Sequence, residues 1–166
     1  QIEGTTDTEW FYALCLSQLD DPWTPCDADE MAAAVVGALA IVRDVRARRG
    51  IDRQSPINVV LSDGRALVAT RYTFDYGWYV EGESFFAGER EFDFTTLWYT
   101  AGSGYLLTDG EWQMQPAERA TSILVSSEPL TRDSSTWLQT PEYAMLVARP
   151  AADGRGLAID MREVAL

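Results

Sequence analysis

The sequence lacks histidine and lysine altogether, and several common catalytic arrangements are excluded as a result. All 13 of its basic residues are arginine. Without histidine, the chain holds no Ser-His-Asp triad, no Cys-His pair and no histidine-ligated metal. Without lysine, it can form neither a Schiff base nor a P-loop. Enzymes that activate their nucleophile by another route are not excluded.

Positive charge is scarce as well. The 26 acidic residues outnumber the arginines and give a net charge of −13. Such an acidic surface repels phosphate backbones, so no nucleic-acid partner is expected. No apolar run reaches the ~18 residues of a membrane span, and the first residues lack the basic and apolar regions of a signal peptide. We therefore expect no membrane association.

Cysteine is limited to two residues, too few for a disulfide framework in a chain of 166 residues. Cys15 falls in an apolar helical stretch, which predicts a buried thiol that packs as a small hydrophobic group. Cys26 falls in a proline-rich loop, where it can be exposed to solvent. Two such thiols favour a reducing, cytoplasmic environment. Neither a cofactor nor a metal site is indicated.

The chain has the size and the hydrophobic content, 46%, of one globular domain. A first helix is predicted to begin at Thr6, because Thr6 and Glu9 have the spacing of a capping box. The apolar stripe of this helix includes Trp10 and Cys15 and predicts a buried face. Asp20-Asp21-Pro22 is expected to stop it.

A second helix is predicted from Asp27, with Glu30 in the matching capping position, to Gly50 as its C-cap. Beyond Pro56 the pattern becomes that of strands, and Asp-Gly pairs at 63–64 and 109–110 predict hairpin turns. Residues 73–93 are predicted to form a long loop or insertion. Strands are predicted at 57–61, 66–72, 95–100, 105–108, 111–115, 122–126, 143–149 and 157–164.

Two helices followed by a β-rich stretch predict an α+β fold over residues 1–166, in which helices pack on a largely antiparallel sheet. A dense aromatic group accompanies the strands. It is interpreted either as the wall of a pocket or, more simply, as part of the core beneath its own sheet. Its members are Tyr72, Phe74, Tyr76, Trp78, Tyr79, Phe85 and Phe86.

Several polar residues also admit two interpretations. Asp7 and Glu9 suit a catalytic carboxylate pair, but the capping box explains both. Ser127 follows a predicted strand, yet no histidine or lysine is present to activate a serine. Four further acids suit a hard cation or helix capping, and capping is favoured because they lack the glycine and glutamate positions of a calcium loop. They are Asp20, Asp21, Asp27 and Asp29.

Four segments together resemble the class II glutamine amidotransferases. They are Gly-Thr-Thr-Asp-Thr-Glu at 4–9, the stretch from Asn-Val-Val-Leu-Ser-Asp-Gly to Ala-Thr-Arg-Tyr at 58–72, Thr-Leu-Trp-Tyr at 96–99 and Leu-Val-Ser-Ser-Glu-Pro-Leu at 124–130. The resemblance is greatest to the single-domain type related to ergothioneine-pathway amidohydrolases and to glutathione-degrading amidotransferase-like proteins. It spans residues 4–149.

The resemblance implies a four-layer αββα sandwich of the N-terminal-nucleophile hydrolases. In that family an N-terminal cysteine attacks the side-chain amide of glutamine or a γ-glutamyl compound, and its own α-amine acts as the base. An Asn-Gly pair and an arginine complete the site, ahead of the Asp-Thr-Glu segment. This chain has none of these elements at the matching positions. Its first residue, Gln1, is not a nucleophile. It therefore resembles the C-terminal portion alone.

The resemblance assigns supporting rather than catalytic positions to this chain. Asp7 and Glu9 match the segment behind the active site, and the strand ends that support it are matched by Arg71, Tyr72, Ser127 and Glu128. The expected function is hydrolysis of the side-chain amide of glutamine or of a neutral or zwitterionic γ-glutamyl compound. The nucleophilic cysteine is expected on a missing N-terminal segment or a second chain.

Two other hypotheses remain at this point. The chain is either a non-catalytic binding or scaffold domain that kept half of the fold, or a self-sufficient α+β domain whose resemblance is superficial. A second polypeptide that begins with cysteine would favour the amidohydrolase.

Overall fold

The computed structural model describes residues 3–75 and 96–166. Within these residues two α-helices precede nine strands, with a short 3-10 helix at Ser134–Thr136. The elements are α1 (Asp7–Leu16), α2 (Ala28–Arg49), β1 (Ser55–Ser62), β2 (Leu67–Phe74), β3 (Trp98–Gly102), β4 (Gly104–Thr108), β5 (Glu111–Gln115), β6 (Ser122–Ser126), β7 (Leu138–Gln139), β8 (Ala144–Pro150) and β9 (Leu157–Glu163).

The strands form two sheets and a separate hairpin. Sheet A has the order β1-β2-β8-β9, sheet B has the order β6-β3-β7, and β4 pairs with β5. Every neighbouring pair is antiparallel. The predicted α+β class and the largely antiparallel pairing are thereby confirmed for the described residues.

Sheet A is covered on both faces, which gives the described residues three layers. Alternate side chains of β2 point to opposite sides of the sheet. Val68, Tyr72 and Phe74 join the core beneath the helices. Ala69 joins Leu146 in a second core that contains residues of sheet B. The layers are therefore helices, sheet A and sheet B.

The first helix begins at the predicted position, but its cap differs from the predicted box. The Thr6 hydroxyl accepts a hydrogen bond from the Glu9 N–H at 3.2 Å, as expected. The Glu9 carboxylate does not return to Thr6. It accepts instead from the N–H groups of Gly4 at 2.8 Å and Glu3 at 2.9 Å. An added Cβ at position 4 would lie 1.8 Å from Glu9 Oε2, so a larger residue there would displace the Glu9 carboxylate.

The buried face of α1 was predicted only in part. Cys15 is 2% exposed, as expected, whereas Trp10 is 58% exposed and does not belong to the core. The helix also ends at Leu16, before the predicted Asp-Asp-Pro stop. A helical stripe predicts a face, but tertiary packing decides how far that face is covered.

The second helix matches its prediction closely. Asp27 and Glu30 form a complete capping box, with hydrogen bonds of 2.8 Å in both directions. Gly50 closes the helix in the left-handed conformation at φ 62°. At the far end Arg46 binds the Ser55 hydroxyl and Asp75 Oδ2, each at 2.8 Å, and so ties α2 to sheet A. No helix within the described residues has both the length and the apolar composition needed to cross a membrane.

The strand predictions are confirmed except at three places. Both Asp-Gly hairpins form, and their glycines have φ 85°. The predicted loop at 73–93 is wrong at its start, because β2 continues to Phe74 in register with Ser55. The rest of that prediction, residues 76–93, lies outside the described residues. The strand predicted at 95–100 starts later than expected, because Thr96 and Leu97 are not part of β3, which begins at Trp98. Strand β7 was not predicted, since two residues carry no periodic signal.

The β4–β5 hairpin packs against the end of β3. Gly102, at the end of β3, lies so close to β5 that an added Cβ would be 2.1 Å from the Gln115 carbonyl oxygen. Met114 on β5 is 5% exposed. Ser103, between Gly102 and Gly104, forms the bend that joins β3 to β4.

Candidate functional site

Arg71 is a buried charged residue that faces the space between the two sheets. It lies on the same side of β2 as Ala69 and pairs across the strands with Asn58 and Ala144. Only 8% of the residue is exposed. Arginine is almost never buried to this extent without a partner, because removing an unpaired charge from water is costly.

The partner is Glu142, in the loop before β8. The Arg71 Nε atom lies 3.1 Å from Glu142 Oε2, and Nη1 donates to the Thr140 carbonyl oxygen at 2.9 Å. The other carboxylate oxygen of Glu142 accepts from the Thr73 hydroxyl at 2.7 Å. We call Arg71, Thr73, Thr140 and Glu142 the inter-sheet cluster.

The backbone beside this cluster is strained. Tyr143 has φ 58°, a left-handed conformation that costs energy for a bulky residue. Its carbonyl oxygen accepts from the Val164 N–H at 2.7 Å, and its ring packs edge-on against Tyr72 at 5.1 Å. These contacts hold the loop in a shape that directs Glu142 between the sheets.

A second set of hydrogen bonds connects the cluster to sheet B. The Thr140 N–H donates to the Leu97 carbonyl oxygen at 2.7 Å. The Asn58 side chain donates to the Thr96 carbonyl oxygen at 3.0 Å, and the Thr96 hydroxyl donates to the Ser127 carbonyl oxygen at 2.5 Å. Edge strand β1 and the ends of β3 and β6 therefore meet beside Arg71.

The sequence-predicted residues do not form one constellation. Arg71 enters the cluster, and Ser127 joins its surroundings through a backbone carbonyl oxygen rather than its hydroxyl. Tyr72 points to the helix side, where burial raises the pKa of its hydroxyl. Glu128 is exposed. Within the described residues, no hydrogen bond or ion pair joins either of them to Arg71.

Asp7 and Glu9 lie in the helical layer, at the start of α1. The Asp7 carboxylate accepts from the Thr8 N–H at 2.7 Å, and Glu9 holds the preceding loop as described above. No hydrogen bond or ion pair connects either carboxylate to the inter-sheet cluster in the described part of the chain. Both residues act structurally at the helix start.

Other sequence candidates have structural roles where they are described. Asp27 caps α2, and Asp29 accepts a hydrogen bond of 2.6 Å from Arg162 on β9. Tyr72 and Phe74 pack in the helix-side core, and the other aromatics of their group lie outside the described residues. No group of three or more potential ligands is placed to hold a metal among residues 3–75 and 96–166.

Three members of the cluster were missed by sequence reasoning: Thr73, Thr140 and Glu142. A buried arginine requires an acceptor, so a partner for Arg71 was to be expected. The sequence has 26 acidic residues, however, and nothing local distinguishes Glu142 among them. Thr73 and Glu142 are 69 residues apart, and only the pairing of β2 with β8 brings them together.

The cluster can position a group but supplies no nucleophile. Glu142 serves as the counter-charge of Arg71 and the acceptor of the Thr73 hydroxyl, so its carboxylate is held in a structural contact. Nη1 of Arg71 donates to the Thr140 carbonyl oxygen, and Nε lies at ion-pair distance from Glu142 without a hydrogen bond. Nη2 has no hydrogen-bond partner among the described residues. That nitrogen can donate to an oxygen of a neighbouring chain segment or substrate. The chemistry available here is orientation and charge stabilisation.

The two thiols are also poor nucleophiles. Burial raises the pKa of the Cys15 thiol from 9.0 to about 11. The pKa of Cys26 is raised by burial first and then by the nearby carboxylates of Asp63, Glu30 and Asp27. Because the thiolate is the reactive form, neither cysteine is activated at neutral pH.

Comparison with known proteins gives one significant similarity among curated sequences. The chain is 26% identical over 162 residues to the probable glutamine amidotransferase DUG3 of Saccharomyces cerevisiae, a match that covers 89% of this chain and 41% of the yeast protein. The chain thus spans about two fifths of the length of that relative. No family model matches, and no solved structure matches significantly.

Proposed function

We propose that this chain is the C-terminal portion of a class II glutamine amidotransferase-like amidohydrolase. The complete enzyme would hydrolyse the side-chain amide of glutamine or of a γ-glutamyl compound, with a nucleophilic cysteine that lies outside this chain. The observation that carries the proposal is the similarity, over 89% of the chain, to a probable glutamine amidotransferase. The motifs at 4–9, 58–72, 96–99 and 124–130 favour the class II type.

The layered architecture supports this proposal. An αββα sandwich has two sheets between two helical layers, and the described residues contain one helical layer and two sheets. We propose that the remaining helical layer and further strands come from the rest of the protein.

The exposure of a side chain on the inner face of β1 supports an incomplete second sheet. Val60 pairs with Ala69, which is fully buried between the sheets. Val60 is nevertheless 51% exposed. A β-branched side chain that faces the sandwich interior and remains this exposed is explained if a further strand of sheet B covers it in the complete protein.

The thiol chemistry supports a nucleophile elsewhere. In the proposed reaction, a cysteine thiolate attacks the amide carbon, and the nitrogen leaves as ammonia or an amine after it gains the proton from the cysteine's own α-amine. Water then hydrolyses the thioester, which releases the γ-carboxylate and restores the thiol. Neither Cys15 nor Cys26 suits this role, because the pKa of each is raised.

We assign the inter-sheet cluster a positioning role in this reaction. In an αββα sandwich the space between the two sheets is where a nucleophile at a strand end would be held. Arg71 reaches that space with Nη2 unpaired within the described residues, while Thr140 accepts from Nη1 and Glu142 supplies the counter-charge. The arrangement is suited to holding a backbone or substrate oxygen near the reacting atoms.

The test is an assay of glutamate release by the complete gene product, with glutamine and with γ-glutamyl dipeptides as substrates. We expect activity that alkylation of an N-terminal cysteine abolishes. Cys15→Ala and Cys26→Ala are the matched controls, and both should retain activity. A folded complete protein without activity on any of these substrates would favour the scaffold alternative, as would a lone, stable 18.5 kDa monomer.

A further inference from the structure

A cavity opens at the end of sheet A that carries the β1–β2 turn. It lies between α1, the loop before α2, the first turns of α2 and the turn itself, and its volume is about 470 Å³. Small-molecule sites commonly have volumes of ~300–1,000 Å³. Both cysteines line it: Cys15 is 2% exposed, and Cys26 is half-buried.

The cavity continues into a neighbouring groove of about 330 Å³. Leu19, Thr24, Pro25 and Cys26 line both spaces, so the two form one continuous depression. We call the whole depression the thiol cavity.

Part of the wall of the thiol cavity is aromatic. Tyr12 and Trp23 line it, and they are 48% and 91% exposed. Nothing among the described residues covers the Trp23 indole, although tryptophan is a large apolar side chain that solvent exposure disfavours. An aromatic face at the mouth of a cavity attracts apolar groups and organic cations.

Other lining residues are negatively charged. Asp20, Asp21 and Glu30 line the groove, and Asp63 lines the larger cavity together with the two aromatic residues. Backbone hydrogen bonds from Ala66 and Arg65 lower the pKa of Asp63, and bonds from Thr24 and Trp23 lower that of Asp21, so both carboxylates are ionised at neutral pH. Among the described lining residues, Arg65 has the one positively charged side chain.

We propose that the thiol cavity is a binding site for a small organic cation, an ammonium or guanidinium compound with an apolar body. The apolar body packs against Tyr12 and Trp23, and the cationic group lies over the indole and within reach of Asp63. The excess of carboxylates attracts this charge and repels anions. The site is independent of the proposed amide chemistry, because it lies at the opposite end of sheet A from the inter-sheet cluster.

The probe for this proposal is benzyltrimethylammonium, with benzyl alcohol as its neutral counterpart and benzoate as its anionic one. Carbamidomethylation of Cys26 by neutral iodoacetamide reports occupancy of the cavity, followed by peptide mass spectrometry on the complete protein. We expect the cation to slow the labelling of Cys26 saturably, and benzoate to have no effect. Calorimetric titration measures the same three affinities without a thiol reagent.

Two variants test the assigned contacts. Trp23→Ala and Asp63→Asn should each weaken binding of the cation by about tenfold, the size expected for one cation–π or charge contact at a partly exposed site. Asparagine keeps the side-chain oxygen that accepts from Arg65 and Ala66, so the turn should be preserved. Trp112→Ala is the matched control, because Trp112 is 54% exposed on the distant β4–β5 hairpin.

The outcomes separate the possibilities. Equal binding of the cation and benzoate would overturn the proposal, since charge would then not matter. Absence of binding at tens of millimolar in both measurements would also overturn it. Loss of binding in Trp112→Ala but not in Trp23→Ala would place the cation elsewhere. If the cavity is already blocked in the complete protein, its occupant is an arginine or lysine side chain of another segment.

Discussion

The two ends of sheet A differ in how their polar side chains are paired. At one end, the guanidinium group of Arg71 lies between the sheets with a carboxylate and a carbonyl oxygen as partners. At the other end, two thiols line an open cavity whose charged side chains are mostly of one sign. Helix α2 runs along the helix-facing side of sheet A between its two ends, from Met31 in the cavity wall to Arg46 beside Ser55, which is roughly 22 Å along a helix axis.

The two regions differ in how far their charges are matched within the chain. Charge is balanced at the inter-sheet cluster, so its geometry is set by the chain itself. Charge and apolar surface are both unmatched at the thiol cavity, where a ligand would supply what is missing. The first region should therefore respond to mutation through stability, and the second through binding.

The largest expected effect comes from breaking the ion pair. Glu142→Gln leaves Arg71 buried without a counter-charge and should lower the free energy of unfolding by about 4 kcal/mol. Denaturation by urea measures this loss. Glu128→Gln is the control, because Glu128 is exposed, and it should change stability by less than about 0.5 kcal/mol. A loss below about 1 kcal/mol in Glu142→Gln would contradict a buried pair.

The next effect tests the packing of the two sheets. Leu146 is fully buried in the core between them, and Leu146→Ala should cost about 3 kcal/mol of unfolding free energy. Leu106 has the same side chain at 56% exposure, and Leu106→Ala should be nearly neutral. Similar small losses in both variants, again from urea denaturation, would mean that sheet B does not pack on sheet A.

A third prediction concerns pH and the thiol cavity. Burial raises the pKa of Cys15 from 9.0 to about 11. Between these values the unfolded chain ionises this thiol and the folded chain does not, so stability falls as pH rises, by about 2 kcal/mol across the interval. Cys15→Ala should lose this part of the pH dependence. Identical slopes for the two proteins between pH 9 and 11 would show that Cys15 is not buried as described.

The smallest effect lies at the start of α1, away from the thiol cavity. In Gly4→Ala, the new Cβ would clash with Glu9 Oε2 and displace the carboxylate from the N–H groups it holds. We expect a loss of about 1 kcal/mol, the value of one such hydrogen bond. In a Glu9→Ala background the same substitution should cost clearly less. Equal costs in both backgrounds would mean that the two residues do not interact.

Local features of the fold could be predicted from the sequence. The capping box of Asp27 and Glu30, the glycine cap at Gly50 and the two Asp-Gly turns each depend on residues that are neighbours in the chain. Trp10 was misassigned to the core, since periodicity gives a stripe but not its depth. The strand β7, two residues long, exists only through its pairing with β3.

Only part of the candidate site could be predicted from the sequence. Arg71 stood out within its motif, but Glu142 is brought to it by the pairing of β2 with β8 and by the strained backbone at Tyr143. The thiol cavity could not be predicted at all, because its walls come from four separated segments. Each segment is ordinary by itself, and only the fold creates the shared surface.

The proposed function depends most on where the nucleophile lies, and a covalent label tests this position directly. The complete protein would be treated with a diazoketone analogue of glutamine, which alkylates the cysteine that attacks the amide. Peptide mass spectrometry then locates the label. We predict one labelled cysteine, at the N-terminus of the mature protein and outside residues 1–166. A label on Cys15 or Cys26, or no label on a folded complete protein, would contradict the proposed function.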